Sequence, residues 1–220
     1  EKRGHEIGYH THTHLLVKNR EILDRELTLS KKFIKDFKPA GFRAPFIYLP
    51  EEAMGALEKQ GFTYSSSSYD EYVITRYGSV SEIPVSVVSL RKQPFSRELP
   101  KPLTFKLLMS KFPIGSGLSI ALIGSKTSRF IQKLNDQKKP AILFIHPWQL
   151  TQVSEITSPS FKLNVMMKNP FCFPYTRNIR KDIEKLFKAH QFTSFHTYFY
   201  EQQGLLGQED NRMGRFTREI

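Results

Sequence analysis

Gly4-His5-Glu6-Ile7-Gly8-Tyr9-His10-Thr11-His12-Thr13-His14 holds four of the seven histidines of the 220-residue chain. His10 and His14 are four apart. On one helical turn, both rings would project from the same face. Two neutral imidazoles at that spacing can occupy two corners of a tetrahedral zinc or similar site. Such a centre needs a third protein ligand, often a carboxylate, and an open position for water. If the segment is helical, His12 points away from the other two; if it is a strand, all three share a face. We read His12 as a non-ligand. The threonines between the histidines argue against an affinity tag.

Outward from this run, the pattern alternates between helical and strand-like stretches. Residues 20–38 keep a period near 3.6 through Ile22, Leu23, Leu27, Phe33, Ile34 and Phe37 and predict a helix. Gly41-Phe42-Arg43-Ala44-Pro45 reads as a short strand entering a loop. A helix over 51–60 is opened by Pro50 and closed by Gly61. Phe62-Thr63-Tyr64 reads as a strand followed by a serine-rich loop, and 82–88 as a strand with Pro84 near its start. Residues 91–117 are rich in proline and glycine and read as loop. Helices are expected over 126–136 and 176–190. Pro140-Ala141-Ile142-Leu143-Phe144-Ile145-His146 reads as a buried strand ending in histidine, and 192–198 as a final strand. Alternation of this kind predicts an α/β fold with parallel strands, whose functional groups gather at strand C-termini. Arg43 and His146 both fall at such ends. One domain over 1–200 is expected, with a polar tail over 201–220.

Composition narrows the function classes. Hydrophobic residues make up 39% of the chain and charged residues 25%, ordinary for a globular protein. No apolar run reaches the roughly 18 residues that span a bilayer. Cys172 is the single cysteine, so neither a disulfide framework nor a cysteine-based zinc site is available. The net charge of +12 favours an anionic partner or a peripheral attraction to anionic surfaces. The cations are spread over three expected helices: Lys31, Lys32 and Lys35; Lys126, Arg129 and Lys133; Arg180, Lys181, Lys185 and Lys188. Basic outer faces of that sort are ordinarily solvated surface. No zinc-finger spacing, RNA-binding signature or tight arginine cluster supports nucleic acid as a partner.

Three separated segments, in this order on an α/β pattern, resemble the polysaccharide deacetylase family, the NodB-homology domain of carbohydrate esterase family 4. His10-Thr11-His12-Thr13-His14 fits its His-[Ser/Thr]-x-x-His motif. Arg43-Ala44-Pro45-Phe46 matches Arg-x-Pro-[Tyr/Phe], and Leu143-Phe144-Ile145-His146 matches a late hydrophobic strand ending in histidine. Glu82-Ile83-Pro84-Val85-Ser86, Pro113-Ile114-Gly115-Ser116-Gly117 and His146-Pro147-Trp148 are similar to the branch found at exopolysaccharide loci.

The resemblance implies a distorted (β/α) barrel and a metal-dependent hydrolase that removes N-acetyl, or occasionally O-acetyl, groups from a polysaccharide. The cofactor would be a divalent metal, expected to be Zn2+, which activates water and polarises the acetyl oxygen. By resemblance His10 and His14 are metal ligands. The N–H of Phe46 helps hold the oxyanion, His146 protonates the departing amine, and Arg43 orients an acidic residue through a bidentate ion pair. Thr11 would brace the loop. Trp148, Pro45 and Tyr64 are candidates for lining a substrate groove, with wall packing the competing reading for Trp148. A flexible surface loop competes for the tyrosines and serines around Tyr64.

The family opens with a Thr-Phe-Asp-Asp type motif that supplies the catalytic base and the third metal ligand, and this chain starts beyond it. The expectation is a domain lacking its first βαβ unit, with the third ligand, an aspartate, upstream of residue 1. On that expectation the chain alone binds zinc weakly and does not deacetylate. Asp70 is the nearest acid to the serine-rich segment, which leaves the partner of Arg43 open. Two other readings remain: a related metal-dependent amidohydrolase acting on a small amide, and a non-catalytic glycan-binding module.

Overall fold

The computed structural model describes residues 5–89, 111–151, 167, 174, 176–198 and 217–219. The proline-rich stretch expected as loop is outside these residues for most of its length, as are Cys172 and nearly all of the expected tail. The chain divides into two compact units. The first comprises 1–84, 92–108 and 193–220; the second comprises 85–91 and 109–192.

In the first unit, helix α1 (Arg20–Leu29) starts where Asn19 Oδ1 accepts the N–H of Ile22 at 3.0 Å, satisfying one of the free donors of the first turn. The expected single helix breaks at Ser30, whose N–H turns back to Glu26 and Leu27 carbonyls. Helix α2 (Lys31–Phe37) then runs to Lys38, which adopts a left-handed conformation. Strand β1 (Gly41–Phe42) and strand β2 (Tyr64–Ser65) pair in parallel, Gly41 opposite Tyr64. Between them a 3-10 turn (Glu51–Ala53) leads into α3 (Met54–Lys59), and Gly61 at φ +81 reverses the chain.

Strand β3 (Tyr69–Asp70) follows the serine segment. Strand β4 (Ile74–Tyr77) and β5 (Val80–Glu82) form a hairpin, and β5 lies parallel to β2. Tyr9 extends the parallel run by a bridge to Phe42, with Tyr9 N donating to Gly41 O and Arg43 N to Tyr9 O, both at 2.9 Å. The unit is therefore mixed α/β: helices link the Tyr9 bridge to β1 and β1 to β2, as the alternation predicts, whereas the parallel pair β2 and β5 is joined through β3 and β4. The expected barrel is not closed among the described residues. The strands are short, and the sheet order β1-β2-β5-β4 ends in an antiparallel pair and then in the parallel β9 (Thr217–Glu219).

The core explains why these short strands hold. Tyr9 packs against Phe33, Phe42 and Phe62 with ring centroids 5.8–6.0 Å apart, and Leu23, Leu27, Leu49, Met54 and Leu57 complete the cluster. Gly41 is required by a close approach. A β-carbon there would overlap the ring of Tyr64 on the neighbouring strand. Gly41→Ala is expected to cost at least about 1–3 kcal/mol by overpacking, read as a lower urea midpoint; an unchanged midpoint would show that the Tyr64 ring moves aside freely.

In the second unit, the expected strand over 82–88 is interrupted. Pro84 has no N–H to give a ladder, and β6 (Val85–Ser86) and β7 (Val88–Ser89) follow separately. Strand β8 (Lys111–Phe112) pairs antiparallel with β7. Helix α4 (Gly117–Ile123) is capped by Ser116; α5 (Thr127–Asp136) and α6 (Arg180–Ala189) follow. Ile120, Ile131, Ile179, Ile183 and Leu186 form the core. The basic residues of α5 and α6 face solvent.

Two sequence expectations are corrected. Residues 140–146 are not a regular strand. Ser86 N donates to Ile142 O at 3.2 Å, but Ile142 N is answered by the Ser86 hydroxyl at 2.8 Å, and only Phe144 bridges to Ser116. A side chain thus replaces one carbonyl of the ladder. In the first unit, residues 195–198 are helical rather than extended. Ser194 caps them, its Oγ accepting from Thr197 N at 3.1 Å. Among the described residues no helix is long and apolar enough to cross a membrane.

Candidate active site

The bridge from Tyr9 to β1 delivers the histidine run beside the loop that leaves β1. Residues 10–14 are not helical. Thr11 at φ 56 and His14 at φ 57 turn the chain through the left-handed region. The His10 and His14 rings still converge, with centroids 4.9 Å apart and planes at 76°. His10 Nδ1 is 2.6 Å from the carbonyl oxygen of Arg43. A carbonyl only accepts, so Nδ1 carries the proton and Nε2 presents its lone pair. Partial burial lowers the pKa of His10, against the pull of that carbonyl, and the neighbouring His14 and Arg43 charges lower it further. That shift favours the neutral ring, the form a metal requires. His14 is open to solvent, and its ring lies 5.7 Å from that of Phe46.

What shapes the loop is Glu26 on α1, which is 1% exposed. Its Oε2 accepts from His12 N at 2.7 Å and Thr13 N at 2.8 Å, and its Oε1 from Thr13 Oγ1 at 2.6 Å. Burial works to raise its pKa, but the Thr13 and His12 hydrogen bonds outweigh it and hold the carboxylate below the ordinary range. The bracing role expected of Thr11 falls to Thr13. Thr11 Oγ1 is buried with no hydrogen-bond partner among the described residues.

The second loop, Arg43 to Ile47, is held from below by the serine segment. Arg43 donates from Nε to Ser66 O at 3.0 Å and from Nη2 to Ser66 Oγ at 2.7 Å, and its guanidinium lies 6.0 Å from the Phe195 ring centre. Ala44 N donates to Ser67 Oγ at 2.9 Å. Glu82, 2% exposed, accepts from Ser67 N and Ser68 Oγ, both at 2.7 Å, while its Oε2 has no hydrogen-bond partner among the described residues. Burial pushes the Glu82 carboxyl up, against its serine bonds and the charge of Arg43. Burial pulls the Arg43 pKa down, and Glu82 is an acid whose charge acts against that.

Phe46 sits at φ 61 and is exposed; Ile47 sits at φ 52, and Pro45 is buried. Six described non-glycine residues have positive φ, and four of them (Thr11, His14, Phe46, Ile47) lie in these two loops. Each such residue costs of order 1–3 kcal/mol, and such strain gathers at functional sites.

The serines expected as a flexible surface loop are buried instead, Ser65 to Ser68 all at 3% exposure or less. Tyr64 is also buried. Its ring lies 5.0 Å from that of Phe195, and its hydroxyl donates to Glu6, whose other oxygen accepts from His196 N at 3.0 Å. Tyr64 and Pro45 thus present little surface to a ligand.

His146 and Trp148 belong to the second unit. Their rings stack at 4.1 Å and 6°, and Gln149 Oε1 accepts from His146 N at 3.0 Å while its Nε2 donates to Gly117 O at 3.1 Å. Trp148 is 47% exposed. The structure therefore brings His10, His14, Arg43 and Phe46 together in one unit, and His146 with Trp148 in the other.

No family model and no curated protein matches this sequence. One solved structure is similar in chain course. It is described as "Crystal structure of putative polysaccharide deacetylase from Mycobacterium smegmatis", with 16% identity and a TM-score of 0.44, covering 88% of this chain and 68% of that one. The functional reading rests on the site residues.

Two of those residues escape the sequence reading. Glu26 and Glu82 are acids on elements that otherwise read as ordinary. For Glu26 a signal existed: it falls between Leu23 and Leu27 on the apolar face of α1, where an unpaired charge is costly. Glu82 opens the Glu82-Ile83-Pro84-Val85-Ser86 motif, but nothing local points to a buried carboxyl, because its partners come from the serine segment after β2.

His10 and His14 offer two imidazole nitrogens, one with its tautomer fixed by a carbonyl. That donor set fits a borderline cation such as zinc. Among the described residues, no cluster of three or more metal-binding side chains occurs.

Proposed function

We propose that this chain is a metal-dependent hydrolase of the polysaccharide deacetylase type, acting on the N-acetyl or O-acetyl groups of a polysaccharide and built on the distorted (β/α) barrel of that family. The observation that carries the reading is the convergence of the His10 and His14 rings, with the Arg43 carbonyl turning His10 Nε2 outward. His10 and His14 would hold a divalent metal, which supplies Lewis acidity to the acetyl group and to water. The Arg43–Ile47 loop does the rest on this side. Its strained turn presents the Phe46 N–H, which would donate to the oxygen that gains charge as the acetyl carbon becomes tetrahedral. Arg43, fixed by Ser66, keeps that turn and His10 in register. His146 is assigned as the proton donor to the departing amine on its motif alone, and Trp148 as an apolar face for a sugar ring. The exopolysaccharide branch is proposed on Glu82-Ile83-Pro84-Val85-Ser86 and His146-Pro147-Trp148.

The test is acetate release from an N-acetylated chitooligosaccharide by the protein as its gene encodes it. Release that a chelator abolishes and zinc restores is the expected result. Oligosaccharide binding with no acetate release would overturn the hydrolase reading in favour of a glycan-binding module. Turnover confined to small amides would overturn the polymer reading.

A further inference from the structure

The His10–His14 loop contains two non-glycine residues in the left-handed region, Thr11 and His14. Left to itself, a strained loop of that kind would relax and separate the rings. One group stands against this. We propose that Glu26 is a positioning residue for the metal site, its carboxylate fixing the loop so that the His10 and His14 imidazoles face one point.

The geometry is that of a carboxylate captured by consecutive backbone donors. His12 N and Thr13 N both point at Oε2, at 2.7 and 2.8 Å, and the Thr13 hydroxyl donates to Oε1 at 2.6 Å. Hydrogen bonds to an ionised acceptor are roughly twice as strong as neutral ones. The carboxylate is rigidly based. It stands on α1 between Leu23 and Leu27, and the Tyr9 hydroxyl, one residue before His10, donates to the Glu26 carbonyl at 2.8 Å and lies 3.0 Å from Ser30 Oγ, from which it can accept. Both ends of the turn are therefore tied to one residue of one helix: Tyr9 to its carbonyl, Thr13 to its carboxylate. His10 is additionally held by the Arg43 carbonyl, whereas among the described residues His14 makes ring contacts with His10 and Phe46 but no hydrogen bond, and takes its place from the turn. A glutamine at position 26 would keep a single, uncharged oxygen for the two loop N–H groups, and its NH2 would turn the Thr13 hydroxyl from donor to acceptor.

The inference rests on His10 and His14 being ligands, so the experiment separates the two. Co2+ is titrated into the full chain, wild type, Glu26→Gln and His10→Ala, and followed by visible absorption and calorimetry, with near-ultraviolet circular dichroism as the measure of folding. The long-range imidazole 1H–15N spectrum of the metal-free proteins gives a second readout. The expected result is a cobalt affinity lowered about 10–100-fold in Glu26→Gln with the tertiary signal retained, and displaced His14 imidazole resonances before any metal is added. Equal affinity in wild type and Glu26→Gln, with affinity lost in His10→Ala, overturns the role of Glu26 and leaves the ligand assignment standing. Unchanged affinity in His10→Ala overturns the ligand assignment and the inference with it. If Glu26→Gln does not fold, Thr13→Val removes the Oε1 bond alone, and a fall of about threefold or more is expected; no fall overturns the inference.

Discussion

His10→Ala or His14→Ala is expected to lower the affinity for zinc by more than about 100-fold, a larger loss than the 10–100-fold that removal of a group behind a ligand brings. His12→Ala is expected to leave it within about threefold. The difference follows from which atoms the loop uses. At positions 10 and 14 the rings converge to 4.9 Å. At position 12 the loop uses only the backbone N–H, which donates to Glu26 at 2.7 Å and survives the substitution to alanine. His10 should show the cleaner loss, because its Nδ1 is already committed to the Arg43 carbonyl and its Nε2 has one direction to point. Competition against a chromogenic zinc chelator measures all three variants. Equal losses at 10, 12 and 14 would mean that the three histidines bind as a loose polar cluster and that the loop geometry is irrelevant.

Glu82→Ala is expected to destabilise the fold by about 2–4 kcal/mol. Ser67 N and Ser68 Oγ lose their acceptor, and each orphaned buried donor costs about 1–3 kcal/mol. For a chain of this size the melting temperature should fall by roughly 4–16 °C. Because Ser67 also takes the Ala44 N–H, the damage reaches the Arg43–Ile47 turn. Substitution by glutamine separates charge from shape. Burial holds the Glu82 carboxyl above its unfolded-state pKa. Its contribution to stability is then complete below the ordinary carboxylate range and is lost as pH rises through the folded value. Urea melts between about pH 4 and pH 8 should show wild type losing stability relative to Glu82→Gln as pH rises. Parallel curves would mean that the carboxyl ionises in the fold without cost.

Much of the first unit is legible in its sequence for a plain physical reason: local rules decide it. The apolar period over 20–38, the Pro50 and Gly61 boundaries, and the short strand before Arg43 all depend on neighbours within a few residues. Even there, the break at Ser30 depends on a hydroxyl from Tyr9, twenty-one residues away. The gathering of His10, His14 and Arg43 was anticipated from motif order, but not its means. Spacing of four brings the rings to one face if the segment is a helix or a strand, whereas the loop reaches the same convergence through left-handed residues pinned by an acid on α1. The turn over 195–198 read as a strand because aromatic and β-branched content outweighed one capping serine. Residues 140–146 read as a strand because nothing local reveals that a serine hydroxyl will occupy a ladder position. Long-range polar partners, Glu26 and Glu82 foremost, leave almost no periodic trace.

The first unit recruits residues 193–198 only after both pieces of the second unit, 85–91 and 109–192, have been made. Glu6 is tied to the Tyr64 hydroxyl and to the His196 N–H, and Tyr72 meets Tyr198 at 2.7 Å. During synthesis, the strands nearest the start must therefore wait for their last contacts. At ~5–20 residues per second, that delay is about 5–20 s. The intervening segment leaves the ribosome complete while the histidine-bearing layer is still open along Phe195. A chain ended just after residue 192 would hold all of its later-made unit while its earlier-made unit still lacked its closing segment.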